Sequence, residues 1–112
     1  MPKPATRPYS RRARDAAELL GLSIRNARID RQMTVAEVAE RAGVSRGLVH
    51  RIEAGDMGCA IGAAFEVAAV VGAPLFEPEP RTLAPHIAAA RDRLTLLPKA
   101  VRPRTRAVKD DF

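Results

Sequence analysis

From Asp15 onward, apolar residues return at helical intervals. Leu20, Ile24, Ala27 and Arg28 fall on one face at i, i+4, i+7 and i+8. This spacing predicts a first helix from Asp15 to about Arg31 or Gln32. Gly21 lies inside it at a cost of about 1 kcal/mol of helix propensity. Thr34-Val35-Ala36-Glu37 then has the form of a capping box. The Thr34 hydroxyl can accept from the Glu37 amide while the Glu37 carboxylate accepts from the Thr34 amide. Val35, Val38, Ala39 and Ala42 follow as an apolar stripe, and Gly43 ends this second helix.

Ser45 is the next N-cap. The third helix runs from Arg46 to about Ala54, with Val49 and Ile52 inward and Leu48 at the edge. Arg46, Gly47, His50 and Arg51 face elsewhere, and Gly55 supplies the stop. A fourth helix from about Ala60 to Val71 places Ile61, Ala64, Phe65 and Ala68 on one face before Gly72 and Pro74. A loop with Pro78 and Pro80 leads to a fifth, capped by Thr82, with Pro85 tolerated in its first turn. It reaches about Leu96 and stops before Pro98. There is no repeat and no strand pattern.

The expected architecture is therefore all-α with five helices. Residues 1–14 form a disordered basic arm and 15–76 a helical domain. Residues 77–97 form a loop and an additional helix, and 98–112 an extended, flexible tail.

Composition narrows the core. Hydrophobic residues make up 46 % of the 112 positions, but aromatics only 4 %, with no Trp. The interior must be built from Ala, Val, Leu and Ile, which suits closely approaching helices. The net charge is +6, unevenly placed. Residues 1–14 hold five cations and no acid; residues 15–80 hold six cations against ten acids; residues 81–112 hold eight against three. A mildly acidic centre between basic arms means that nucleic-acid binding would rest on local placement and on the arms.

Cys59 is the single cysteine. It allows no internal disulfide or cysteine metal cluster, reads as a small buried residue, and fits a cytoplasmic protein. No apolar run approaches the ~20 residues of a membrane span. The opening MPKPATRPYSRRAR lacks the apolar segment of a signal peptide. No nucleophile–base pair, metal-ligand spacing or phosphate-cradling Gly loop stands out, so neither catalysis nor a cofactor is expected.

The stretch AERAGVSRGLVHRIEAGD, residues 39–56, carries the most information. Two short helices joined by a Gly-containing turn make a helix-turn-helix. Ala39 lets the helices approach, Val44 plugs the corner, and the second helix presents a polar face. The N-terminal part of such a helix can enter the major groove of DNA. Arg46 can bond guanine O6 and N7 together. Gly47 allows close backbone approach or simply tolerates exposure. His50 can donate to a base or phosphate, or be a solvated histidine, and Arg51 suits a phosphate or base contact. Ser45 can double as cap and phosphate donor.

On these residues, positions 20–76 resemble the Xre/Cro/C1-type helix-turn-helix family. The matching stretches are LGLSIRNAR, TVAEVAERAGVS, HRIEAG, AFEVAAVVG and PLF. The resemblance implies a lambda-repressor-like five-helix domain that binds DNA, usually as a homodimer on a palindromic operator. It also implies a structural ion pair between Arg28 and Glu53. In the family, the residue after the cap of the second helix is often polar and binds phosphate. Here it is Val35, so Thr34 or the helix amides take that task.

A narrower resemblance extends further. The PLF turn, the added helix and the tail LLPKAVR…DDF are similar to HipB-type antitoxins. These are small operator-binding dimers that hold a HipA-like kinase toxin. Their usual tail forms a strand, whereas residues 82–96 here predict a helix. Leu96, Leu97, Val101, Val108 and Phe112 are the candidate partner-binding residues. Phe112 after two aspartates is an aromatic anchor suited to docking, or else a frayed terminus.

The expected function is that of a repressor and antitoxin autoregulating its operon. The rivals are a stand-alone Xre-family regulator and a helical interaction adaptor that does not bind DNA. The acidic centre and Val35 favour the adaptor.

Overall fold

The computed structural model describes residues 8–76, 83–101 and 103. Five helices follow one another: α1 Arg11–Asp30, α2 Val35–Ala42, α3 Arg46–Glu53, α4 Ile61–Val71 and α5 Leu83–Thr95. The fold is all-α, and the first four helices build one core. In it, α2 packs on α3 and α4, and α1 packs on the same two.

The caps explain where each helix starts and stops. The α1 helix begins at Arg11, four residues before the Asp15 start that periodicity predicts. Ser10 has extended backbone and its Oγ accepts from the Ala13 amide at 3.1 Å. Residues 11–14 are thus helical rather than part of a disordered arm. They escape an apolar-pattern reading because this turn is almost wholly solvated and shows no stripe. At α2 the capping box closes, with Glu37 N–H donating to Thr34 Oγ1 at 3.0 Å and Thr34 N–H donating to Glu37 Oε1 at 2.8 Å.

Gly43 takes the left-handed conformation at φ 73° and ψ 31°, which glycine adopts without steric cost. There Val44 N–H donates to the Ala39 carbonyl at 3.0 Å and Gly43 N–H to the Glu40 carbonyl at 3.3 Å. This is the paired pattern of a Schellman stop. It turns the chain at once into the Ser45 cap, whose Oγ accepts from Leu48 N–H at 3.0 Å.

The core holds Ile24 from α1, Val38 and Ala39 from α2, and Val49 and Ile52 from α3. From α4 and its end come Ala64, Val67, Ala68, Val71 and Ala73. Val35, Ala42, Val44, Leu48, Leu20, Ala27 and Cys59 pack around it half-buried. The α4 face differs from the predicted one. Ile61 is 69 % exposed and Phe65 half-buried, while Val67 and Val71 are fully covered.

Gly21 earns its place inside α1 by close approach. A Cβ there would stand 2.5 Å from the Ile52 carbonyl oxygen and 2.6 Å from that of Glu53. Only glycine lets α1 cross the end of α3 at this distance.

The described residues from Leu83 onward belong to a second unit. Within it, α5 has Pro85 in its first turn and no buried residue. Ile87 and Leu94 are exposed, and near its end Thr95 Oγ1 donates to the Asp92 carbonyl at 2.6 Å. The Thr82 cap and the loop prolines Pro78 and Pro80 lie outside the described residues. Among those described, no helix is long and apolar enough to cross a membrane.

Candidate nucleic-acid interface

Two short helices joined across Gly43–Ser45 set the geometry of the site. Burial of Val49 and Ile52 fixes the rotation of α3. The same rotation turns Arg46, Gly47, His50 and Arg51 to solvent. The side chains of Arg46 and His50, one turn apart, make no hydrogen bond or ion pair among the described residues. A Cβ added at Gly47 would meet only the Ser45 hydroxyl, at 3.9 Å, so this side of the helix is open to approach. Leu48 is half-buried and packs against the core, at the border between interior and solvated face.

Both capping hydroxyls are accepting within the protein, Ser45 Oγ from Leu48 N–H and Thr34 Oγ1 from Glu37 N–H. The Ser45 O–H proton remains to donate, whereas that of Thr34 is directed to the Glu37 carboxylate. Thr34 and Ser45 are exposed and stand at the starts of adjacent helices, where unpaired amides favour anions. The Glu37 carboxyl is held below its ordinary range by hydrogen bonds from the backbone and side chain of Thr34, with a further contribution from Arg41.

Gln32 was not singled out by the sequence pattern, which places the end of α1 there. It is exposed two residues before Thr34, with a left-handed φ of 56°. The signal in the sequence was a polar residue just ahead of a cap.

Behind the solvated face of α3, Arg28 and Glu53 form a two-point ion pair. Arg28 Nε donates to Glu53 Oε2 at 2.7 Å and Nη2 to Oε1 at 3.1 Å. The side chains are only 13 % and 7 % exposed. Arg28 Nη1 also donates to the Met33 carbonyl at 3.0 Å. One guanidinium therefore ties the end of α1, the turn before α2 and the last residue of α3. Its bond to Glu53 holds the Arg28 pKa above the ordinary value, against desolvation. The arrangement fixes the angle at which α3 leaves the core.

Cys59 is half-buried beyond the end of α3. Desolvation and the Asp56 carboxylate push its thiol pKa up, while nearby Arg51 opposes them. A thiol with raised pKa is a poor nucleophile. Among the described residues no cluster of His, Cys, Asp and Glu could hold a metal ion. The tail residues Leu96, Leu97 and Val101 are exposed, whereas Val108 and Phe112 lie outside the described residues.

A cap–helix–turn–cap–helix unit with a solvated second helix defines the class of helix-turn-helix proteins. The model of the helix-turn-helix domain family matches residues 10–75, and the chain belongs to that family. It is thereby a DNA-binding regulator by class. The match begins at Ser10, the residue that caps α1. No curated protein matches the chain significantly.

Proposed function

We propose that the protein is a sequence-specific transcriptional repressor that reads its operator with α3. The observation that carries this reading is the solvated face of Arg46, Gly47, His50 and Arg51, set by a rigid turn and the Arg28–Glu53 clamp. Arg46 supplies a two-point fork for guanine in the major groove. His50 and Arg51 contact bases or phosphates one turn on, and Leu48 lies against the groove edge. Ser45 and Gln32 donate to phosphate, Thr34 joins them when phosphate draws its hydroxyl away from Glu37, and together they fix the register. A homodimer sets two α3 helices in successive major grooves, about 34 Å apart, on a palindromic operator. Occupancy of its own promoter then excludes polymerase.

Footprinting of the upstream DNA tests this reading. The expected result is two protected half-sites one helical turn apart, related by inversion. A single unsymmetric site, or protection without sequence preference, contradicts it.

The second reading adds an antitoxin role with a HipA-like kinase toxin in the bacterial cytoplasm. Its support is the resemblance of the tail and the exposure of Leu96, Leu97 and Val101. Deleting Phe112 is expected to weaken toxin capture and leave operator binding intact. Equal loss of both contradicts this division.

A further inference from the structure

The outer face of α1 carries a second pattern, unrelated to its buried side. Arg12, Asp15, Leu19, Leu22, Asn26 and Ile29 recur at intervals of 3, 4, 3, 4 and 3. All six are exposed, with Leu19 at 68 %, Leu22 at 47 % and Ile29 at 53 %. This is the heptad spacing of a helix seam that packs on another helix. At about 100° per residue, Leu19, Leu22 and Asn26 lie roughly 100–160° around the axis from Gly21. The seam therefore faces away from the crossing with α3 and leaves the reading face free.

We infer that this face pairs with the same face of a second copy, antiparallel about a two-fold axis. The polar residues of the seam select that occupant and direction. In an antiparallel pair the two seam positions of the heptad alternate across the interface. Leu19 then meets Leu22 of the second copy on either side of the axis. In the same register Asp15 meets Asn26, whose amide can donate to the carboxylate. Arg12 lies over Ile29, with Asp30 one residue further on to receive its guanidinium. Every polar seam residue thus finds a complementary group twice, as a two-fold interface requires. A parallel pair would instead set Arg12 against Arg12 and Asp15 against Asp15. Neither Arg12 nor Asp30 makes an ion pair among the described residues, so both remain available.

The interface gives the proposed repressor a dimer built on α1, and it stands whether or not α3 reads DNA. Its test accordingly contains no DNA. Sedimentation of the full chain over a concentration series is expected to show a monomer–dimer equilibrium. Leu22→Glu is expected to weaken it at least ~100-fold, because each dimer loses two buried leucines. Arg12→Asp and Asp30→Arg are each expected to weaken it about fivefold, and the double charge swap to restore it. Circular dichroism of these surface variants is expected to match wild type. A chain monomeric throughout overturns the proposal. So does a dimer indifferent to Leu22→Glu, or a charge swap that adds the two single losses. Arg46→Ala, which leaves α1 untouched, is expected to dimerise as wild type while losing operator affinity, which separates the two claims.

Discussion

Gly21 and Gly62 make opposite demands on the same substitution. Gly21 is pressed against the Ile52 and Glu53 carbonyls, whereas Gly62 is exposed, with nothing within 4 Å of an added Cβ. Gly21→Ala is expected to destabilise the fold by about 1–3 kcal/mol, because backbone must move to admit the methyl group. Gly62→Ala is expected to stabilise it by about 0.5–1 kcal/mol through helix propensity alone. Thermal melts of the two variants check the sign directly. A stabilising Gly21→Ala would mean that α1 and α3 do not cross as closely as described. The clamp invites a similar test. Glu53→Ala leaves a mostly covered guanidinium without its partner and is expected to cost about 2–3 kcal/mol. Denaturant titration reads that loss.

Among the elements, α2 depends most visibly on its cap. Thr34→Ala removes the hydroxyl that accepts from Glu37 N–H and is expected to cost about 1 kcal/mol. The carboxylate half of the box carries a pH signature. Because the folded Glu37 pKa is lowered, its contribution is present above the unfolded pKa and is lost as pH falls through the folded value. Below the ordinary carboxylate range near 4.5, wild type is expected to lose stability more steeply than Glu37→Gln. Parallel acid titrations of the two proteins would contradict this.

The elements also show what sequence could tell. The α2 cap, the Gly43 stop, the Ser45 cap and the inward pair Val49 and Ile52 are local, and residue order states them. The Arg28–Glu53 pair spans 25 residues and came from family resemblance, since no local pattern joins α1 to α3. Three features were illegible for physical reasons. Gly21 looks only costly until the helix that crosses it is known. In α4, apolar residues occur all round, so the pattern has no phase and Ile61 could not be told from Val67. At the start of α1, solvated arginines and nearby Pro8 outweighed the single capping serine.

The whole molecule places its charges in three parts, basic at both ends and mildly acidic between. Affinity from the ends alone would fall steeply with salt and ignore sequence. Affinity from α3 would be sequence-dependent at any salt and would hinge on Arg46. In Arg46→Ala, loss of a two-point guanine contact is expected to weaken operator binding by about 1–3 kcal/mol. Binding to unrelated DNA should hardly change.

The most direct test is titration of the chain's own upstream DNA with wild type and Arg46→Ala, at low and at physiological salt. The expected result is tight wild-type binding at both salts, with operator preference removed by the substitution. Weak binding that vanishes at physiological salt and ignores Arg46 would contradict the claim that α3 reads DNA.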